Sequence, residues 1–157
     1  MIKKILDFIF IITFITMGIT SCKSISSSGK KDSDVNYRVL GENYYPSQSF
    51  AQGIYIARSF EDALAISEGN DEMVNVFSEI DFKKEAVLFV FAGRYKTGGY
   101  NIVIDFIKHA GKGKILAQFS VSSPSLNSVV TQAITNPSMI VAIEIRKNEI
   151  IKAYLKK

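Results

Sequence analysis

The sequence predicts an α+β fold: a mainly antiparallel β-sheet or sandwich of about five to six strands, with one or two short helices N-terminal to most of it. Three observations lead there. Helical spacing of apolar residues is confined to residues 59–79. From Glu85 onward apolar residues either run continuously or alternate with polar ones, the patterns of fully buried and half-buried strands. Most joints between those later strands are short and carry Gly or Asn, which suits hairpins and leaves no room for the crossover helices of a parallel sheet.

The N-terminus comes first. Lys3 and Lys4 precede an apolar run from Phe8 to Ile19, which closes on Ile19-Thr20-Ser21-Cys22. The run falls short of the roughly 20 apolar residues of a bilayer span. A basic start, a short apolar stretch and small residues at its end form an export signal. The last four residues resemble the lipobox of bacterial lipoproteins. That resemblance implies cleavage before Cys22 and acylation of its thiol, the only one in the protein. Residues 1–21 are therefore expected to be a lipoprotein signal peptide. Lys23 and Ser24 provide no acidic retention signal, so the resemblance implies a lipid-anchored envelope protein in the outer rather than the inner membrane.

Residues 22–36 are rich in Ser, Lys and Asp and bury too little apolar surface to offset their ordering entropy. They are expected to form a flexible tether, with residues 37–157 as a single globular domain. Tyr37 to Gln52 reads as an irregular lead-in with one edge strand. Ile54 to Arg58 is a first short strand. Ser59 starts a helix as a capping residue, with Asp62 three positions on. Phe60, Ala63, Leu64 and Ser67 share its inner face, and Gly69 is placed to end it in a left-handed conformation. Asp71 to Glu79 forms a second short helix with Met73, Val74 and Phe77 inward.

The run Ala86 to Ala92 is a central strand buried on both faces. Tyr100, Ile102, Ile104 and Phe106 alternate with polar residues in the next strand. Ile115, Ala117, Phe119 and Val121 do so in the one after, and Ala110-Gly111-Lys112-Gly113 supplies the hairpin between them. Ser122 to Pro137 is a long connection. Met139, Val141, Ile143 and Ile145 resume the alternation. Lys147-Asn148 makes a tight turn into a final strand with Ile151, Ala153 and Leu155.

Composition narrows the function. Lys3, Lys4 and Asp7 contribute +1 of the formal +4, leaving +3 for residues 22–157. The lysines are scattered without a basic stripe of interleaved aromatics, so nucleic acid is not an expected partner. With Cys22 the only cysteine, disulfides within the chain are excluded. One histidine, His109, cannot build a usual zinc site or, without a Gly-x-Ser-x-Gly turn, a recognisable serine triad. It reads as an exposed polar residue at a strand end. Asp62, Glu68, Asp71, Glu72 and Glu79 read as a solvated helix face rather than a paired-carboxylate site. No catalytic residue, metal site or cofactor is expected. Gly98-Gly99, after Arg94 and Lys96, suits a phosphate cradle or a turn between strands. The missing Lys-Ser/Thr and missing helix favour the turn.

Three stretches together resemble a known family: Asp81 to Val87, Gly93-Arg94-Tyr95-Lys96-Thr97-Gly98-Gly99-Tyr100, and Ser123-Pro124-Ser125 with Ser128 to Pro137. Their order is similar to the C-terminal domain of the protease complex subunit PrcB family, over about residues 81–145. The Thr-Gly-Gly-Tyr turn and the Val-Thr-Gln-Ala segment are the most specific parts. Lys96 replaces a proline common in the family, and Ser138 an aromatic residue. The resemblance implies a surface lipoprotein that stabilises an exported protease complex as an accessory, non-enzymatic subunit. The expected partner-binding residues are Arg94, Thr97, Gly98, Gly99, Tyr100, Thr131 and Gln132. Two alternatives are a chagasin-like protease inhibitor, for the Thr-Gly turn, and a structural envelope scaffold.

Overall fold

The computed structural model describes residues 34–43, 51–68, 71–111 and 113–156. Seven strands and two short helices stack in three layers. β1 (Tyr37–Glu42), β2 (Gly53–Ala57), β3 (Glu85–Phe91) and β6 (Ser138–Glu144) form one sheet in the order β1-β6-β3-β2, antiparallel throughout. β4 (Asn101–His109), β5 (Lys114–Ser122) and β7 (Ile150–Lys156) form the other, in the order β4-β5-β7. The helices α1 (Phe60–Ile66) and α2 (Asp71–Ser78) cover the outer face of the first sheet.

This is the sandwich with helices on one side that the sequence predicts. The four-stranded sheet is buried on both faces. Ala86, Leu88 and Val90 of β3 meet Ile107, Ile115, Ala117 and Phe119 of the second sheet. Val87, Phe89 and Phe91 point the other way, to Ala63, Met73 and Phe77 of the helices. Phe89 meets Phe77 edge to face, ring centroids 5.7 Å apart, the arrangement favoured by the ring quadrupoles. β6 is likewise buried on both faces, with Ile140 and Ala142 under the helices as well as Met139, Val141 and Ile143 between the sheets. Among the described residues, both apolar clusters lie within residues 35–155. No helix among the described residues is long and apolar enough to cross a membrane.

Local rules explain the helix ends. The Ser59 hydroxyl accepts the Asp62 N–H at 3.0 Å, and the Asp62 carboxylate accepts the Arg58 N–H at 3.2 Å. Asp62 thus takes the N–H of the residue before the cap, where the Glu of a capping box takes that of the cap itself. The left-handed residue after α1 is Glu68, at φ 55°, one position before the predicted Gly69, which lies outside the described residues.

Three further expectations need correction. Val35, assigned to the tether, is buried between the sheets, and the Asp34 carboxylate accepts the His109 N–H at 2.7 Å. The folded part therefore reaches back to Asp34. The signal peptide, Cys22 and the remaining tether lie outside the described residues. The alternation in β4 breaks at a bulge between Ile104 and Phe106. The extra residue, Asp105, shifts the phase, so Ile107 rather than Phe106 enters the core. Finally, the Lys147-Asn148 turn is tight, with Asn148 at φ 64°, but β7 does not fold back on β6. It crosses to the second sheet and runs parallel to β5.

Candidate functional site

Two loops meet at one end of the sandwich. The first, residues 92–100, joins β3 to β4. The second, residues 123–137, joins β5 to β6. Because β3 and β6 are neighbours, their backbone ladder continues into the loops. The Ala92 N–H donates to the Pro137 carbonyl at 2.9 Å, and Tyr95 and Thr135 exchange hydrogen bonds at 2.8 and 3.0 Å. The Gly98 N–H donates to the Thr131 carbonyl at 2.9 Å, and the Thr135 hydroxyl to the Thr97 carbonyl at 2.8 Å. The Ser128 N–H and hydroxyl both donate to the Ser125 carbonyl, closing a turn at the tip of the second loop.

The two glycines are required by this closeness. A Cβ on Gly98 would lie 2.3 Å from the Thr131 hydroxyl oxygen. One on Gly99, at φ +84°, would lie 2.9 Å from both Pro124 and Val130 side chains. The geometry is a turn held by its neighbour loop. The Gly98 N–H is spent on a carbonyl, which removes the donor a phosphate cradle needs. Tyr100 stacks on Tyr95, ring centroids 4.1 Å apart.

The seven residues singled out in the sequence therefore lie together, with two kinds of surroundings. Thr97, Gly98, Gly99 and Tyr100 take part in holding the loops. Arg94 and Gln132 are exposed, and Thr131 is exposed apart from its engaged carbonyl. Sequence reasoning missed three apolar side chains in the second loop: Leu126 and Val129 are fully exposed and Ile134 more than half exposed. Large apolar residues in a Ser/Asn/Pro-rich connection that fit neither strand nor helix periodicity were the available signal. The two loops contain Arg94 and Lys96 and no carboxylate side chain.

A cleft of about 440 Å³ at the opposite end is lined by Arg38, Asp81, Lys84, Glu85, Glu144 and Ile145. Its charges are used internally. Arg38 grips Glu85 through both nitrogens, at 2.6 and 3.1 Å, and the Asp81 carboxylate lies 3.2 Å from Lys84. The Lys83 N–H, and then Lys84, hold the Asp81 carboxyl below its ordinary value. His109, expected to be exposed, is half-buried. Its Nδ1 is 3.2 Å from the buried Glu149 carboxylate, at ion-pair distance but without hydrogen-bond alignment. Asp62, Glu68, Asp71 and Glu79 are exposed on or beside the helices, where Asp62 serves the cap. No cluster of three or more His, Cys, Asp or Glu suited to a metal ion occurs among the described residues.

Residues 86–144 match the family model described as PrcB C-terminal. This part of the chain is similar to the PrcB C-terminal family. The PrcB unit runs from the start of β3 to the end of β6, so it contains both loops and every hydrogen bond between them. The helices, β1, β2 and β7 lie outside it. No curated protein and no solved structure matches the chain.

Proposed function

We propose that this protein is a lipid-anchored envelope protein whose loop surface binds another exported protein, as an accessory, non-enzymatic subunit of a protease complex. The observation that carries this reading is the pair of cross-braced loops. They expose Arg94, Gln132 and three apolar side chains on a support that holds its shape without a partner. Loops on a rigid sheet are the usual place for recognition, and preorganisation lowers the ordering cost of binding. The absence of carboxylates there suits a partner with an acidic rim around an apolar pocket. The signal pattern before Cys22 supports lipid attachment, with the outer membrane as the site.

Affinity capture from the cell envelope tests the binding role. Arg94→Ala and Gln132→Ala are expected to melt like the wild type. Each is expected to weaken retention of the captured partner, by about 30-fold where the residue is a hot spot worth about 2 kcal/mol. Loss of stability with unchanged capture would overturn the proposal. Cys22→Ala is expected to abolish fatty-acid labelling, and equal labelling of both proteins would overturn lipid attachment. Protrusion of Leu126 and Val129 from a braced loop also favours a second reading, protease inhibition. Slowing of a purified exported protease by the chain distinguishes it.

A further inference from the structure

The loops lie at the Asn101 end of β4, while the chain enters the fold at the other end. The Asp34 carboxylate meets the His109 N–H, and the Val35 N–H donates to the Ile107 carbonyl. The nine residues of β4 separate the two places by about 27 Å. Cations gather at the entry end. The in-register row Lys108, Leu116, Lys152 crosses the outer face of the three-stranded sheet there, and Lys114 pairs with Ile150 beside it. Arg146 and Lys147 add two more in the turn before β7. All five cationic side chains are exposed, and none is in an ion pair among the described residues.

The carboxylates near them are otherwise engaged. Asp34 holds the His109 N–H. Glu149 is buried and accepts the Arg146 N–H at 2.8 Å. Glu144 accepts from the Asn36 amide at 2.9 Å, and Asp105, further along the face, from Gln118 and Ser120. Ile150 and Tyr154 are both more than half exposed on the same face. Interleaved cations and amphipathic or apolar side chains are the chemistry of a bilayer interface.

We infer that the entry end of the three-stranded sheet, centred on Lys108, Lys114, Lys152 and the Arg146-Lys147 turn, docks on anionic phospholipid headgroups. Two observations select a bilayer as the occupant. The charge is complementary, and the patch adjoins the point where the N-terminal segment joins the domain. Twelve residue steps separate Cys22 from Asp34, a reach of at most about 40 Å. An acyl group on Cys22 therefore keeps this end within touching range of the membrane. Docking would hold the domain upright, with the paired loops about 27 Å further out and open to a partner. The orientation rests on the lipid-anchor reading, but the affinity of the patch for headgroups does not.

The test uses residues 22–157 with Cys22→Ser, which carries both apolar clusters and no acyl group. The protein is sedimented with vesicles of phosphatidylglycerol and phosphatidylcholine, and with phosphatidylcholine alone. Binding is expected only with the anionic lipid and is expected to fall as salt rises. Each cation near such a surface is worth about fivefold. The double variant Lys108→Glu/Lys152→Glu is therefore expected to lower partitioning by about 25-fold or more while melting normally. Lys96→Glu, the same charge change at the loop end, is expected to alter it by less than about twofold. Lys152→Glu alone supplies the matched comparison. No binding to anionic vesicles would overturn the inference. So would equal losses in Lys96→Glu and Lys152→Glu, the mark of net charge alone, or tighter binding to soluble polyglutamate than to vesicles. Fatty-acid labelling of Cys22 is read separately, so failure of the anchor and failure of the patch are distinguishable.

Discussion

The four-stranded sheet is built from strands of five to seven residues and the three-stranded sheet from strands of seven to nine, and the two differ most in what lies on either side of them. The four-stranded sheet has the second sheet on one face and helices on the other, so β3 and β6 are almost wholly buried. The three-stranded sheet has water on its outer face, where Val103, Phe106, Tyr154 and several lysines stand among polar residues. One sheet is therefore committed to stability, while the other has a face free for chemistry. Both loops are joined to each sheet, through β3 and β6 on one side and β4 and β5 on the other. The loop surface thus inherits rigidity from the buried sheet without lying in it.

The comparison breaks if a charge is tolerated in the buried sheet. Phe89 is 0% exposed. An unpaired carboxylate there costs several kcal/mol, against a total stability of about 5–15 kcal/mol. Phe89→Asp is expected to abolish the cooperative thermal transition. Tyr154→Asp, on the water-facing sheet, is expected to stay within about 0.5 kcal/mol of the wild type. A soluble Phe89→Asp protein with a sharp melt would show that the helices do not seal that face.

This contrast also decided what was legible in the sequence. The run Ala86 to Ala92 has no polar interruption, and that marked it as central. In β6 the same double burial looks like alternation in the sequence, because Ser138 and Glu144 flank a shorter apolar run and Ala142 is small. The bulge at Asp105 was hidden, since an extra residue changes the phase without changing the composition. The crossing of β7 to the second sheet was equally hidden. A two-residue turn looks the same whether the next strand folds back or passes to another layer. At the site, the Gly-Gly turn and the second loop were visible as motifs. Their junction was not, because the bonds joining Gly98 to Thr131 and Tyr95 to Thr135 are backbone bonds that leave no side-chain signature.

Glycine substitutions sharpen the role of that junction. Gly99 and Gly111 have similar positive φ, 84° and 79°, but only Gly99 has atoms where a Cβ would go. Gly111→Ala is expected to cost about 1 kcal/mol for the left-handed backbone alone. Gly99→Ala is expected to cost about 2–3 kcal/mol, since Pro124 or Val130 must also move. Equal melting temperatures would mean that the loops part without penalty. That result would remove the preorganisation argument.

The bulge supplies a pH-dependent probe of the exposed sheet. The Asp105 carboxylate accepts the Gln118 amide at 3.0 Å and the Ser120 hydroxyl at 2.7 Å. The Gln118 bond most of all, with help from Ser120 and Lys156, holds its carboxyl below the ordinary value despite partial desolvation. A lowered folded-state value means that the stabilisation is complete above the unfolded value of about 3.9 and fades as pH falls through the folded one. Asp105→Asn is expected to lower stability by about 1 kcal/mol at neutral pH. The gap from the wild type is expected to stay constant down to about pH 5 and to close below about pH 4. A gap independent of pH would place the bulge's stability in the backbone rather than the carboxylate.

The smallest effect is expected where the two sheets are joined. Asn148 turns the chain from β6 in the buried sheet to β7 in the exposed one, at φ 64°. Asparagine tolerates that region better than most residues, and glycine tolerates it best. Asn148→Gly is therefore expected to change stability by only a few tenths of a kcal/mol, while Asn148→Ala costs about 1 kcal/mol. The difference isolates backbone strain, because neither side chain reaches a core. The turn is held from within, where the Glu149 carboxylate accepts the Arg146 N–H, and from outside, where Arg58 donates to the Glu149 carbonyl at 2.5 Å. A melting curve of Asn148→Ala that matches the wild type would mean that those contacts, rather than the left-handed residue, direct β7 across to the second sheet.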